Sequence, residues 1–198
     1  MASLPKRIME HAGALPEAAP ICPGALLHLG NRAAVDQALS RLARRGQLLR
    51  VHRGVYMGPF LTRYGLRPPS PSKVIESLSA HWGETIVPSG GASANFLGLT
   101  RQVPIRSVYW TSGPSRKLRL FASVLELRHA PRWQLVAPGR PAGLAVRALA
   151  WMGPREIEES LDIIKRELSE EDLAELAATR AILPSWMAGP LSTLVSNG

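Results

Sequence analysis

Arginine, glutamine and small side chains recur with a helical period between residues 31 and 46, and together they can form hydrogen bonds to the edges of DNA bases. At about 100° per residue, one side of a helix over this stretch is polar, small or basic. Its residues are Arg32, Ala33, Gln37, Ser40, Arg41 and Arg44. Arginine pairs bidentately with guanine, glutamine pairs with adenine, and alanine contacts a thymine methyl group. We therefore expect Arg32, Gln37 and Arg41, assisted by Ala33, to read base edges.

Other cations close to this stretch suit contacts with the phosphate backbone. Arg44 and Arg45 lie at the far end of the predicted helix, away from its first turn. Arg50, His52 and Arg53 follow within a short basic segment that alternates with apolar residues. Alternation of this kind predicts two strands joined by a tight turn, with the cations at its tip and outer face. His52 equally suits a half-buried strand position with a local hydrogen bond.

A capped amphipathic helix must position the base-reading side chains. Val35, Leu39 and Leu42 recur on the opposite side and predict a stripe that packs on a core. Asn31 is a typical N-cap residue, and Gly46 can adopt the left-handed conformation that ends a helix. Asp36 is the sole acid of the stretch, whereas an ordinary solvated helix alternates glutamate with arginine. This imbalance favours a DNA-binding helix.

The elements around this helix complete a predicted winged helix-turn-helix domain over residues 1–58. Ser3 and Pro5 begin a first helix that ends near Gly13, and a second short helix is predicted over residues 23–28. The helix of residues 31–46 and the basic hairpin follow. In such domains one helix enters the major groove of DNA.

The remaining sequence predicts an α+β architecture. Residues 59–72 contain several prolines and predict a linker, so that residues 73–198 form a second domain. In this domain we expect a helix over 74–82, a strand at 85–87, a helix over 92–97, and strands at 107–111, 117–121 and 124–128. The last third is helical. The expected C-terminal domain is therefore a small mixed β-sheet with a helical end.

Charge is distributed unevenly along this chain, whose net charge is +9 and whose pI is about 10.8. Residues 1–58 carry +5, residues 59–150 carry +9 and residues 151–198 carry −5. The acidic helices are either a solvated bundle or a surface for a basic partner. The middle cations contact DNA phosphates or an acidic or RNA-bound partner, or they protect a sheet edge from aggregation. These cations are Arg101, Arg106, Arg116, Lys117, Arg119, Arg128 and Arg132.

Several classes of protein are disfavoured by the sequence. A lone Cys22 permits no intramolecular disulfide, and no apolar segment has the length of a membrane span. We therefore expect a cytoplasmic protein. The sequence has no phosphate-binding G-x-x-x-x-G-K-[ST] motif, no G-x-S-x-G motif and no H-E-x-x-H zinc motif. We expect no cofactor, no metal site and no catalytic activity.

Four segments of the sequence resemble the AbiEi family of antitoxins. They are residues 34–56, GGASANFLG at 90–98, VYWTSGPSR at 108–116 and LELRHA at 125–130. AbiEi proteins are antitoxins of bacterial abortive-infection, or type IV, toxin–antitoxin systems. The resemblance implies a non-enzymatic antitoxin whose N-terminal domain binds inverted repeats in its own promoter and represses it. It further implies that the C-terminal domain serves to neutralise a cognate nucleotidyltransferase toxin.

Two other functions are compatible with the same residues. The first is a transcriptional repressor that senses a small ligand in its second domain. The second is an RNA-handling enzyme that a winged helix positions on its substrate.

Overall fold

The structure is a computed structural model that describes residues 2–120 and 123–194. It has an α+β fold in which a helical N-terminal region is followed by a mixed sheet and further helices. The chain divides into two compact units. Unit 1 comprises Met1–Glu84 and Lys117–Leu125, and unit 2 comprises Thr85–Arg116 and Glu126–Gly198.

The first part of unit 1 contains the elements predicted for residues 1–58. They are α1 (Leu4–Gly13), a 3₁₀ helix (Pro23–Leu26), α2 (Arg32–Arg44), β1 (Leu49–His52) and β2 (Val55–Met57). The expected second helix is thus a single 3₁₀ turn. Just before it, Ile21 forms an antiparallel bridge with Tyr56, in which each backbone N–H donates to the other residue's carbonyl. The segment between the first two helices is thereby attached to the hairpin.

Helix α2 begins, packs and ends as its sequence predicts. The Asn31 side chain accepts a hydrogen bond of 2.9 Å from the Ala34 N–H, which satisfies one donor of the first turn. Val35, Leu39 and Leu42 are buried in the core of unit 1. After the helix, Gly46 has φ +70°, a conformation that glycine adopts without steric strain. The polar side of α2 is consequently left on the surface.

The predicted linker and domain boundary differ from the structure. Residues 59–72 contain a second hairpin, formed by β3 (Phe60–Thr62) and β4 (Gly65–Arg67), and they lead into α3 (Pro71–Trp82). The Ser70 N–H donates to a carboxylate oxygen of Glu17 at 2.9 Å, which ties the start of α3 to the N-terminal region. Residues 73–84 therefore belong to unit 1, and the first division between the units follows Glu84. The proline-rich composition predicted a linker. The strands of the hairpin have only three residues each, which is too short for a clear alternating pattern in the sequence.

A four-stranded sheet has the order β5-β6-β8-β7. Its strands are β5 (Ile86–Pro88), β6 (Ser107–Thr111), β7 (Arg116–Leu120) and β8 (Ser123–His129). These bounds agree with the predicted strands to within one or two residues, except that position 121 of the third prediction lies outside the described residues. Strands β5 and β6 pair antiparallel. The Ala130 N–H donates to the Thr111 carbonyl, so the carboxyl ends of β6 and β8 meet.

Helices form most of the remainder of unit 2. They are α4 (Gly90–Phe96), α5 (Pro141–Met152), α6 (Ile157–Glu167), α7 (Glu170–Ala178) and α8 (Ser185–Leu191), with 3₁₀ turns at Arg132–Leu135, Thr179–Ile182 and Ser192–Leu194. Helix α5 lies at the centre of the apolar core, where Ala145, Val146 and Leu149 are fully buried. Within the described residues, no helix combines the length and the apolar character that crossing a membrane requires.

Candidate nucleic-acid interface

Most of the polar side of α2 is exposed. Arg32, Ala33, Gln37, Arg41 and Arg44 are all exposed, whereas Ser40 is partly buried. This arrangement follows from the apolar stripe on the opposite side, which is buried against α1 and the 3₁₀ turn. The predicted base-reading residues therefore share one accessible surface, the α2 face, defined by Arg32, Ala33, Gln37, Ser40, Arg41 and Arg44.

Two contacts within the helix order side chains on the α2 face. The Arg32 guanidinium lies 2.9 Å from the Asp36 carboxylate, one turn further along. The Arg41 guanidinium donates to the Gln37 side-chain oxygen at 3.4 Å. Both contacts are on the surface, where such pairs contribute only a few tenths of a kcal/mol, about 0.3–0.5. Exchanging them for hydrogen bonds to DNA therefore has a small energetic cost.

The hairpin of β1 and β2 places further cations beside this helix in sequence. His52 pairs with Val55, so Arg53 and Gly54 form a two-residue turn, and Gly54 has the positive φ of +74°. Arg50 and Arg53 are exposed, and the Arg50 guanidinium lies 5.9 Å from the centre of the Tyr56 ring. The tight turn and the exposed arginines agree with the prediction.

His52 lies partly buried and contacts a residue that the sequence did not associate with it. Its ring packs edge to face against Trp82 of α3, with ring centres 6.0 Å apart. This geometry agrees with the alternative of a half-buried strand residue. His52 nevertheless also lines a cleft together with Arg50 and Arg53, the two exposed arginines of the hairpin.

Two cations from the middle of the sequence lie at the same hairpin. A cleft of about 250 Å³ is lined by Arg50, Val51, His52, Arg53, Lys117 and Arg119. Lys117 and Arg119 alternate along β7 with the buried Leu118 and Leu120, so both basic side chains emerge on one side of the strand. No acidic residue is among the described residues that line it. We call this feature the hairpin cleft.

Sequence reasoning identified Lys117 and Arg119 as basic but did not locate them. The sequence predicts a strand over residues 117–121 that contains both residues. It does not indicate which part of the chain this strand would approach, because more than 60 residues separate β1 from β7. The pairing is a property of the tertiary fold.

Other cations of the basic middle region have local partners in unit 2. Arg128 lies 2.7 Å and Arg106 lies 3.8 Å from the carboxylate of Glu126. The Arg116 guanidinium donates to the Pro114 carbonyl at 3.3 Å. Arg106, Arg116 and Arg128 therefore have partners within unit 2, whereas Lys117 and Arg119 line the hairpin cleft of unit 1.

Groups that commonly bind metals are scattered in this fold. Among the described residues, no three histidine, cysteine, aspartate or glutamate side chains are grouped so that they could hold a metal ion. The Cys22 sulfur lies 3.5 Å from the His81 Nε2, at the end of α3. Burial raises the pKa of the Cys22 thiol, which disfavours the reactive thiolate.

Comparisons with known proteins give a family and a fold. Residues 7–176 match the model of a family described as "Family of unknown function (DUF6088)". A comparison with curated proteins finds no match. The chain is also similar to a solved structure described as the crystal structure of RV2827C protein from Mycobacterium tuberculosis, with a TM-score of 0.50 and 18% identity over 99% of this chain and 77% of that chain. At this identity the similarity supports the fold alone.

Proposed function

This chain belongs to the DUF6088 family, and we propose that it binds double-stranded DNA in a sequence-specific manner through unit 1. The proposal rests on the presence, in the same unit 1, of exposed base-reading side chains on the α2 face and of the cations of the hairpin cleft. Four basic side chains around a cleft without a lining carboxylate repel one another, and a polyanion relieves this repulsion. The phosphate backbone of DNA is such a polyanion.

The order of elements in unit 1 supports a winged helix-turn-helix arrangement. Helix α1, the 3₁₀ turn, α2 and the β1–β2 hairpin follow in sequence, and the Ile21–Tyr56 bridge joins the segment before the turn to the hairpin. Helix α2 has 13 residues, which at about 1.5 Å per residue gives a rod of roughly 20 Å. A helix of this size enters the major groove, which is about 12 Å wide.

Each predicted residue then has a role in the complex. Arg32, Gln37 and Arg41 form hydrogen bonds to base edges, and Ala33 contacts a thymine methyl group. The remaining residues position the domain on the phosphate backbone. They are Ser40, Arg44, Arg45, Arg50, His52, Arg53, Lys117 and Arg119.

The resemblance to AbiEi antitoxins extends this proposal to a biological role. We propose that the chain binds inverted repeats in its own promoter, represses a toxin–antitoxin operon in the cytoplasm and neutralises a cognate nucleotidyltransferase toxin without catalysis of its own. The proposal of toxin neutralisation is supported by the resemblance of residues 90–98, 108–116 and 125–130 to AbiEi antitoxins. These residues lie largely in unit 2.

Two substitutions test DNA binding because they distinguish base reading from phosphate contact. In fluorescence anisotropy with the upstream region of its own gene, Gln37→Ala should relax the preference at one base pair by about 1–3 kcal/mol. Arg53→Ala should weaken binding to all duplexes alike. Arg155→Ala, which removes an exposed arginine of unit 2, is the matched control and should bind as the wild type does. Equal, salt-insensitive affinity in all three variants would contradict the proposal.

Neutralisation is tested separately with the full chain. We expect co-expression of the wild type to restore growth of cells that produce the cognate nucleotidyltransferase toxin. A variant with Arg41→Gln and Arg53→Gln should lose repression of the promoter but still restore growth, since the resemblance assigns neutralisation to the C-terminal domain. Failure of the wild type to restore growth would refute the antitoxin role and leave DNA binding to its own test.

A further inference from the structure

Unit 2 contains a cleft that is independent of the DNA-binding surface proposed above. Its volume is about 710 Å³, which lies in the range of small-molecule sites, about 300–1,000 Å³. The sequence motifs of residues 108–116 and 125–130 converge on it, because the carboxyl ends of β6 and β8 meet at its edge. The cleft is lined by Thr85, Ser112, His129, Ala130, Pro131, Arg132, Leu135, Val136, Ala137 and Ile182.

Local hydrogen bonds fix the polar side of this cleft. Ser112 and Thr85 form a reciprocal pair, in which the Ser112 N–H donates to the Thr85 carbonyl and the Thr85 N–H donates to the Ser112 hydroxyl oxygen. The His129 N–H donates to the Ser115 hydroxyl at 2.8 Å, and the ring Nδ1 lies 3.0 Å from the Gly113 carbonyl oxygen. A carbonyl only accepts, so Nδ1 bears the hydrogen and Nε2 is left for another partner.

The lining of the cleft combines two kinds of side chain. Thr85, Ser112, His129 and Arg132 contribute polar side chains, which we call its polar side. Leu135, Val136 and Ile182 contribute apolar side chains, which we call its apolar side. No carboxylate is among the described residues that line the cleft, so an anionic group meets no like charge there.

A buried arginine lies behind the apolar side and adds positive charge. Arg147 of α5 is fully buried, and its Nη1 donates to the carbonyl oxygens of Gln134 and Val136, each at 3.4 Å. Its Nε and Nη2 have no hydrogen-bond partner among the described residues. A guanidinium buried without an acidic partner raises the electrostatic potential around it, and a nearby anion is thereby stabilised.

The segment between Arg147 and the cleft is held in one conformation. Ala137 has φ +42°, a strained value for a residue with a side chain. A Cβ on Gly143 would overlap the carbonyl oxygens of Val136 and Ala137, so this segment lies directly against α5. Packing and the Arg147 hydrogen bonds therefore preform the apolar side.

We propose that the unit 2 cleft binds a phosphate monoester with a body the size of a nucleoside. Arg132, His129 and the hydroxyls of Ser112 and Thr85 hold the phosphate group. The body packs against Leu135, Val136 and Ile182. Such a division between a few polar groups and an apolar wall is typical of sites for small molecules. The site lies within unit 2, whereas the proposed DNA-binding residues lie in unit 1. A failure to bind a monophosphate can therefore be distinguished from a failure to bind DNA.

Isothermal titration calorimetry of the full chain tests the site with defined probes. The probes are the four common nucleoside 5′-monophosphates, adenosine and inorganic phosphate. We expect at least one monophosphate to bind ten-fold or more tightly than both adenosine and inorganic phosphate, because only a monophosphate engages both sides of the cleft. Absence of saturable binding by all four monophosphates would overturn the proposal, and so would equal binding of inorganic phosphate.

Variants locate the binding within the cleft. Arg132→Gln should weaken the monophosphate at least ten-fold, whereas Arg155→Gln, an exposed arginine of the same unit outside the cleft, should leave it unchanged. His129→Asn keeps a donor for the Gly113 carbonyl but removes Nε2, so it should also weaken the phosphate contact. Ile182→Ala tests the apolar side and should weaken the monophosphate without changing the weak binding of inorganic phosphate. Unchanged affinity in Arg132→Gln and His129→Asn would contradict the assignment.

Discussion

The double substitution Lys117→Gln and Arg119→Gln tests whether the hairpin cleft contacts DNA. Both residues are exposed on β7 and line this cleft with Arg50 and Arg53. Each phosphate contact contributes about 0.9 to the slope of log K against log salt concentration, because a bound counterion is released. Removing two contacts should therefore lower the slope by about 1.8.

The consequence is measurable by fluorescence anisotropy with the upstream DNA at 50 and 200 mM salt. Salt concentration changes four-fold over this range. With a slope smaller by about 1.8, the affinity of the variant should fall about 12-fold less than the affinity of the wild type. The variant should bind much more weakly than the wild type at low salt, and the deficit should shrink as salt increases. Arg155→Gln with Arg180→Gln removes the same charge from exposed positions of unit 2 and serves as the control.

Two results would refute the reasoning about the hairpin cleft. An unchanged slope in the Lys117 and Arg119 variant would mean that these side chains make no phosphate contact. An equal reduction in the control would mean that net charge, rather than the location of the cations, determines the affinity.

Four further predictions concern stability, each measured by chemical denaturation. Leu39→Ala should lower the free energy of unfolding by about 2–5 kcal/mol, because this side chain is fully buried. Asn31→Ala should lower it by about 1 kcal/mol through loss of the N-cap. Gly143→Ala should lower it by about 3 kcal/mol, since the new methyl group overlaps the Ala137 carbonyl. Burial lowers the pKa of Arg147 to about 10, well below the pKa of an arginine in the unfolded chain, so the folded chain releases this proton first as the pH rises. Above about pH 10 the stability of the wild type should therefore rise relative to Arg147→Met, and a parallel pH dependence of the two proteins would contradict this assignment.

Local sequence signals predicted the elements whose ends and sides depend on neighbouring residues. Asn31 and Gly46 marked the ends of α2, and the Arg53-Gly54 pair marked the turn of the hairpin. Ser169 caps α7 in the same local way, since its hydroxyl accepts the Asp172 N–H at 3.2 Å. These interactions span two to four residues, so sequence alone contains them.

The features that escaped prediction depend on longer distances or on competing local signals. The short helix predicted over residues 23–28 is a 3₁₀ turn over Pro23–Leu26, since the sequence has no other stop signal before Gly30. The β3–β4 hairpin was hidden by flanking prolines, although Gly65 with its φ of +97° was a turn signal. Helix α5 is apolar on most sides because it lies at the centre of unit 2, so it lacks the amphipathic pattern that identifies surface helices.

In the candidate nucleic-acid interface, too, some features follow from local sequence and others from the tertiary fold. The exposure of Arg32, Gln37 and Arg41 follows from the helical period and could be predicted. The approach of β7 to the hairpin could not, since no local pattern specifies which strand lies beside another. The same holds for Arg147, whose burial depends on helices packed around α5.

Backbone amide chemical shifts of the full chain, measured by nuclear magnetic resonance during titration with a duplex from its own upstream region, test the central claim most directly. We predict that the shift changes cluster at residues 32–45, 50–53 and 117–119, and that they diminish as salt is added. Changes confined to residues outside these three segments, or no change at DNA concentrations that saturate binding, would contradict the proposal that α2 and the hairpin cleft contact DNA.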